Sequence, residues 1–297
     1  MMKKTLCALL FSAAAFCGTA AEFKILARID FEEPGLKQSK NKELLFLPEI
    51  GGQKKTPPPY LAMRAYHRGR KSHLHPLAVV TPGADGSGHA VGFAGIRAYT
   101  LILLVEPLGK LHAAPDLYAF YKIKIPEGCK GAFSTGCWNR TKNKSAGFAY
   151  KTKPGWNCVN VTLHGKGSLD TGDLFHGITI RSVDGGLHAW QVDDLVVWQG
   201  QDTEKPAAVT GIKAKGAGDA VKITWDRSTD NLAVRSYRVY RGTVPNFECT
   251  KETCVGETLS LEFTDNSAMR DDYCYNVTAV DCAGLESTPG KAVRMVP

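Results

Sequence analysis

Aromatic side chains provide the clearest candidates for ligand binding in this 297-residue sequence. In the run Ala132-Phe-Ser-Thr-Gly-Cys-Trp138, the alternation of a β-strand places Trp138 beside small residues and on the face opposite Cys137. A tryptophan with small neighbours offers an open apolar surface on which the C–H face of a sugar ring can lie. Tyr150 and Trp156 are candidate neighbours. We therefore predict a carbohydrate-binding group of Trp138, Tyr150 and Trp156; the alternative is core packing, since tryptophan is mostly buried.

The spacing of nucleophiles, acids and histidines does not support catalysis. Gly86-Ser-Gly88 lacks the G-x-S-x-G pattern and the following helix that a nucleophile elbow requires. Glu32 and Glu33 are adjacent, so their side chains would point to opposite faces of a strand and could not flank one glycosidic bond. His73-x-His75 has no third metal ligand nearby. We predict a non-catalytic protein; the alternatives are a secreted accessory of a glycoside hydrolase and an unrecognised hydrolase.

Short strand patterns separated by turn residues extend from Phe23 to Trp198. Many short strands with frequent turns indicate an all-β sandwich or jelly roll. The run Trp190–Trp198 would close this sandwich through Val192, Leu195 and Val197, and the polar stretch that follows reads as a linker. The predicted organisation is a signal peptide over 1–21, a β-sandwich over 22–200, a linker over 201–205 and a second domain over 206–297.

Three parts of the first domain resemble jelly-roll carbohydrate-binding modules. These are Ile29-Asp-Phe-Glu-Glu-Pro-Gly35 at the start, the glycine-rich Gly83–Gly95, and the final runs that include Trp156–Leu163 and Val192–Val197. Concanavalin-like lectin sandwiches end in a similar strand and remain an alternative. The resemblance implies a structural calcium held by acids of the first and last strands, and carboxylate oxygens suit that ion. The matching residues are Asp30, Glu32, Asp193 and Asp194; the alternative is exposed acids at strand ends.

The second domain resembles a fibronectin type III domain, an immunoglobulin-like β-sandwich. Ala220-Val-Lys-Ile-Thr-Trp-Asp226 alternates with Trp225 on the buried face, and Tyr273-Cys-Tyr-Asn-Val-Thr-Ala-Val280 alternates in the same way. The resemblance implies that Tyr273 is the corner tyrosine of this fold. Asp226-Arg-Ser-Thr-Asp-Asn231 further resembles modules attached to secreted bacterial polysaccharide-degrading enzymes. Such modules mostly space or present other domains, and the fold by itself assigns no function.

The N-terminus and the cysteines favour export. Met1-Met-Lys-Lys4, an apolar run to Phe16 and small residues up to Ala21 predict a signal peptide cleaved after Ala20 or Ala21. Oxidising conditions favour disulfides. Cys274 and Cys282 would lie about 26 Å apart on one strand, too far for a bond. We predict that Cys274 pairs with Cys249 or Cys254.

Net charge and motifs restrict the partners. The formal charge is +8, of which Lys3 and Lys4 belong to the predicted signal peptide. No nucleic-acid-binding motif accompanies this charge, and no later segment is long and apolar enough to span a membrane. We therefore expect an extracellular or cell-surface protein whose partner is a polysaccharide or cell-surface glycan. An adhesive or structural protein that binds other extracellular proteins is the alternative.

Overall fold

The computed structural model describes residues 22–32, 36–42, 44–46, 60–66, 73–97, 100–106, 111–128, 133–150, 153–164, 169–181, 187–268 and 272–296. Every regular element in these ranges is a β-strand, which confirms the predicted all-β class. No helix within these ranges is long and apolar enough to cross a membrane. The predicted signal peptide over residues 1–21 lies outside the described residues, as does Cys129.

Fourteen strands in the described part of the chain precede residue 200 and form two antiparallel sheets. They are β1 Lys24–Ile29, β2 Lys37–Gln38, β3 Leu44–Phe46, β4 Tyr60–Tyr66, β5 His73–His75, β6 Ala78–Val80, β7 Ala90–Arg97, β8 Thr100–Glu106, β9 Leu117–Ile125, β10 Phe133–Asn139, β11 Lys144–Tyr150, β12 Gly155–Thr162, β13 Phe175–Arg181 and β14 Leu187–Gln199. The first sheet has the order β12-β9-β14-β7-β6, with β1 also paired to β14. The second has the order β11-β10-β13-β8-β4-β3-β2, with β5 paired to β4. Buried side chains from both sheets, such as Tyr121 and Phe175, share one core, so these strands form a sandwich, here called the N-terminal sandwich.

Strand β14 lies at the centre of the first sheet because it pairs with β1, β7 and β9. Val192, Leu195 and Val197 are fully buried in the sandwich core, as predicted for the closing strand. Strict alternation would put Val192 and Leu195 on opposite faces. The register against β9 shifts between Asp193 and Val196, and Asp194 has φ 48°. This bulge therefore brings both halves of the strand onto the same core.

The remaining strands form a three-stranded sheet, β15-β16-β19, and a four-stranded sheet, β18-β17-β20-β21. They are β15 Lys213–Ala217, β16 Ala220–Thr224, β17 Val234–Gly242, β18 Cys254–Thr258, β19 Glu262–Asp265, β20 Cys274–Asp281 and β21 Val293–Arg294. The predicted alternation is confirmed in β16, whose residues are buried at every second position, but not in β20, where every residue is buried. Ile223, Val239 and Val277 are fully buried between the sheets, and Trp225 is 5% exposed. This three-plus-four arrangement, called the C-terminal sandwich, is the immunoglobulin-like β-sandwich that the sequence predicts.

The two sandwiches pack against each other through a third apolar cluster. Phe120, Val196 and Trp198 point away from the core of the N-terminal sandwich and contact Leu232 and Cys282 of the C-terminal sandwich. The amide of Asn160 donates a hydrogen bond across the same interface to the carbonyl oxygen of Cys282. The outer face of β9 and β14 is therefore covered by the C-terminal sandwich. The sequence predicted a short polar linker here, but it did not predict this apolar contact.

The cysteines are free thiols throughout the described part of the chain. Strands β18 and β20 flank β17 on opposite sides, with Cys254 opposite Tyr240 and Cys274 opposite Gly242. Two strand spacings put Cys254 and Cys274 about 10 Å apart, beyond the reach of a disulfide. Cys249 is also free, so the predicted disulfide to Cys274 is not found. Strand β20 is continuous, which agrees with the prediction that Cys274 and Cys282 do not pair.

Candidate functional site

The glycine-rich turn before β7 brings together parts of both sandwiches. The backbone N–H of His89 donates to Glu32 Oε1 at 2.8 Å, and Arg227 of the C-terminal sandwich pairs with Asp85 at 2.6 Å. A Cβ atom on Gly88 would lie 1.9 Å from Glu32 Oε1, and Gly88 has a positive φ. Glycine is therefore required here both for the backbone conformation and for the close approach of the carboxylate.

The four acids predicted to hold calcium are near this turn, and all four have protein donors. Both oxygens of Asp193 accept backbone N–H groups, from Ala84 and Asp194, each at 2.8 Å. Asp194 pairs with the buried ammonium of Lys122 at 2.6 Å. Glu32 accepts from His89, as described above.

Asp30 accepts a hydrogen bond from the backbone N–H of Glu32 at 3.2 Å. Asp30, Glu32 and Asp194 line a cavity of about 230 Å³ that Arg227 and Lys122 also line. Burial, followed by the neighbouring Asp194, raises the pKa of Asp193 above its ordinary value. Because ammonium, guanidinium and N–H donors engage the carboxylates, this arrangement does not favour a cation, and calcium at these four residues stays an untested prediction.

The three aromatic candidates do not lie together on one sheet. Trp138 is on β10 of the second sheet, half-buried and opposite Ser145. Tyr150 is opposite Phe133 at the other end of the same hairpin, five positions from Ser145 and thus about 17 Å along the strand. Trp156 is on β12 of the first sheet, opposite Lys124. The backbone therefore separates Trp156 from the other two candidates.

Trp156 lies at the start of β12, where a turn presents its side chain. The Nδ2 of Asn157 donates to the carbonyl oxygens of Lys153 and Gly155, at 2.9 Å and 2.8 Å, and its Oδ1 accepts from the backbone N–H of Lys153. Gly155 has φ 90°, which an L side chain rarely adopts. The ammonium of Lys124 lies 5.9 Å from the Trp156 ring centroid, within the range of a cation–π contact. Local hydrogen bonds and one glycine thus fix the position of the indole.

Trp156 lines a groove of about 640 Å³ between the two sandwiches. The opposite wall belongs to the C-terminal sandwich and includes Arg235, Glu257 and Ser260. Burial by itself would raise the pKa of Glu257, but hydrogen bonds from Ser236 and Arg238, with the charge of Arg235 nearby, lower it below its ordinary value. The groove therefore combines one aromatic surface with a carboxylate that stays ionised at neutral pH and a guanidinium.

Sequence reasoning found Trp156 but missed the polar wall of the groove. Arg235 is on β17 and Glu257 is on β18, whereas Trp156 precedes them by about 80 and 100 residues. These residues meet because the C-terminal sandwich packs on the first sheet of the N-terminal sandwich. The alternation of β17 indicates which residues point outward, but it does not show what those residues face.

Comparisons with known proteins relate the chain to segments of polysaccharide-degrading enzymes. No protein-family model matches it. It is 30% identical over 151 residues to Exoglucanase B of Cellulomonas fimi, a match that covers 49% of this chain and 13% of that protein. Exoglucanase A of the same organism is 34% identical over 94 residues, covering 31% and 10%. Chitinase A1 of Niallia circulans is 31% identical over 97 residues, covering 32% and 13%. The chain thus matches only a small part of each relative.

Likeness to solved structures is weak. The glycoside hydrolase domain of Endo-D from Streptococcus pneumoniae is 13% identical, with 79% of this chain and 36% of that chain covered and a TM-score of 0.35. A beta-1,2-glucanase from Parabacteroides distasonis is 14% identical, with 80% and 37% covered and the same TM-score. At this TM-score neither structure contributes to the functional conclusion.

Proposed function

We propose that this chain is a secreted, non-catalytic polysaccharide-binding protein and that the groove between its sandwiches contacts the glycan. The observation that carries the proposal is the half-buried Trp156 at the edge of an open groove whose far wall is polar. A pyranose ring has an apolar C–H face and a rim of hydroxyl groups. Trp156 would receive the apolar face, while Glu257 would accept hydrogen bonds from hydroxyls and Arg235 would donate to ring or hydroxyl oxygens.

The similarity to segments of exoglucanases and a chitinase supports the same proposal. In this proposal the predicted signal peptide directs the chain out of the cell. In this proposal the residues after about 206 form a fibronectin type III domain, which supplies one wall of the groove in addition to any spacing role. Trp138, which lies on the other sheet, is not part of the proposed contact.

The test is retention of the purified chain on insoluble cellulose and chitin, together with binding to an array of soluble glycans. Trp156→Ala and Trp138→Ala form a matched pair, because each removes one half-buried indole from a different sheet. We expect Trp156→Ala to weaken binding about tenfold or more, equivalent to about 1.4 kcal/mol, and Trp138→Ala to leave it unchanged. Circular dichroism establishes that both variants keep their strand content.

Unchanged retention of Trp156→Ala would contradict the proposed site, and loss confined to Trp138→Ala would move the site to the second sheet. Absence of binding to every glycan would favour the alternative of an adhesive or structural protein. Release of soluble sugar from cellulose or chitin would instead show a hydrolase.

A further inference from the structure

Three aspartates from separate turns meet where the two sandwiches join. Asp202 lies in the segment between β14 and β15, Asp230 in the turn between β16 and β17, and Asp281 at the end of β20. One carboxylate oxygen of each lies within 4.8 Å of those of the other two. Residues nearly 80 positions apart in the sequence thus converge on a single point.

Each aspartate uses one oxygen to hold its own turn. Asp281 Oδ1 accepts the backbone N–H groups of Gly284 and Leu285, at 2.6 Å and 2.7 Å. Asp230 Oδ2 accepts the N–H of Leu232 at 2.8 Å. Asp202 Oδ1 accepts the N–H of Glu204 at 3.1 Å and the side-chain amide of Asn231 at 3.0 Å. These bonds fix the orientation of all three carboxylates.

The second oxygen of each carboxylate is buried and has no hydrogen-bond donor. This applies to Asp202 Oδ2, Asp230 Oδ1 and Asp281 Oδ2. Asp281 is fully buried, and Asp202 is 5% exposed. None of the three forms an ion pair with any residue that the structure describes. Buried polar atoms are normally satisfied, so an unpartnered carboxylate oxygen on each of three clustered aspartates points to a positively charged ligand.

The side chains that converge at this point are carboxylates. Their oxygens are hard donors, which suit a hard cation.

We propose that Asp202, Asp230 and Asp281 bind one calcium ion. Calcium takes oxygen ligands at 2.3–2.6 Å, so two oxygens bound to one ion lie at most about 5 Å apart. One carboxylate oxygen from each of the three aspartates lies within 4.8 Å of the other two, which is close enough for all three to reach one ion. Asp202 also lines an open groove of about 700 Å³, which gives an ion a path from solvent. Water from this groove would complete the coordination.

The proposed ion would fasten the junction, and this role does not depend on glycan binding. It would join the segment that leaves β14 to two turns of the C-terminal sandwich. The same turns contact the N-terminal sandwich, since the carbonyl oxygen of Asn231 accepts from Arg28 at 3.3 Å and that of Cys282 accepts from Asn160. Calcium is therefore expected to stabilise the arrangement of the two sandwiches.

The experiment uses the full chain, stripped with a chelator and returned to chelator-free buffer. Calorimetric titration with calcium chloride, with magnesium chloride in parallel, measures binding, and thermal unfolding measures stabilisation. We expect one calcium per chain with a Kd of about 10⁻⁴–10⁻³ M, as in extracellular calcium modules, and a Tm raised by several degrees in about 10 mM calcium. Magnesium should bind more weakly, because it requires a smaller octahedral shell.

Two variants test whether these aspartates bind calcium or only hold their own turns. Asp230→Asn should abolish the calcium response without lowering the Tm of the stripped protein, because it removes a repelling charge and keeps the oxygen that accepts from Leu232. Asp202→Asn is the second variant, in case the first does not fold. The control, Asp30→Asn, removes a carboxylate from the other acidic group and should keep the full response.

A wild-type chain that neither binds calcium nor gains stability from it would overturn the proposal. So would a calcium response that survives in both Asp230→Asn and Asp202→Asn. A response lost in Asp30→Asn but kept in Asp230→Asn would place the ion at the acids of the first and last strands of the N-terminal sandwich instead.

Discussion

Replacement of Leu232 by alanine tests whether the two sandwiches are held together by their apolar contact. Leu232 is fully buried, and the cluster around it includes Phe120 and Trp198 of the N-terminal sandwich. Leucine-to-alanine changes in cores cost about 2–5 kcal/mol, more where a large void remains. Leu232 also lines the cavity of about 230 Å³ between the sandwiches. The new space would join that cavity and admit water, so we expect the low end, about 2–3 kcal/mol.

Urea unfolding of the full chain, followed by tryptophan fluorescence, measures this loss, and a thermal scan should show a Tm lower by about 4–8 °C. Val244→Ala is the matched control, because Val244 is 55% exposed and exposed substitutions usually change stability by less than about 0.5 kcal/mol. If Leu232→Ala lowers the free energy of unfolding by as little as the control does, the packed interface is refuted. The backbone N–H of Leu232 keeps its acceptors in the variant, so lost hydrogen bonds would not explain a decrease.

Three further changes probe the turn that joins the sandwiches and one polar group elsewhere. Gly88→Ala should destabilise the chain by about 1–3 kcal/mol in urea unfolding, because its Cβ would meet Glu32 Oε1 at 1.9 Å and its φ of 58° is strained for alanine. An unchanged free energy of unfolding would show that the turn does not hold the carboxylate. Arg227→Met removes the ion pair with Asp85 across the sandwiches. It should lower the free energy of unfolding by about 1–2 kcal/mol, a value reduced for the partial exposure of the arginine. High salt should reduce the difference in stability between this variant and the wild type. Asp173 has a pKa lowered to about 2, chiefly by a hydrogen bond from Lys142. Its stabilisation is therefore full above about pH 4 and lost as the pH falls toward 2, so the stability gap between wild type and Asp173→Asn should close in acid unfolding curves.

Much of the fold could be predicted from the sequence, because alternation is a local signal. The run Ala220–Asp226 shows which side chains are buried without reference to any partner. The buried face of β14 was harder to predict, because its core residues change from even-numbered to odd-numbered positions at the bulge beside Asp194. A list of apolar residues still selected Val192, Leu195 and Val197 correctly, although strict alternation would have rejected one of them.

The candidate sites depended on contacts that sequence reasoning could not provide. Trp138 and Trp156 both lie in strand-like runs, and only the sheet order shows that they lie on different sheets. The acids at Asp193 and Asp194 were selected by resemblance. Their partners, Ala84 in the turn before β7 and Lys122 on β9, are distant in the sequence and engage the oxygens that calcium would need. The predicted disulfide to Cys274 is absent for a similar reason, because the strand between Cys254 and Cys274 separates them.

The position of the groove couples glycan binding to the packing of the two sandwiches. Trp156 belongs to one sandwich, whereas Arg235 and Glu257 belong to the other, so the groove has both walls only while the interface is formed. A ligand that contacts both walls must stabilise the interface by the same free energy with which the interface improves binding. We therefore expect a bound oligosaccharide to raise the Tm of the wild type, and Leu232→Ala to weaken glycan binding although Leu232 does not line the groove. If the Leu232→Ala variant is less stable but binds glycan with wild-type affinity, the coupling is refuted. Trp156 then contacts the glycan by itself, and Arg235 and Glu257 have no part in recognition.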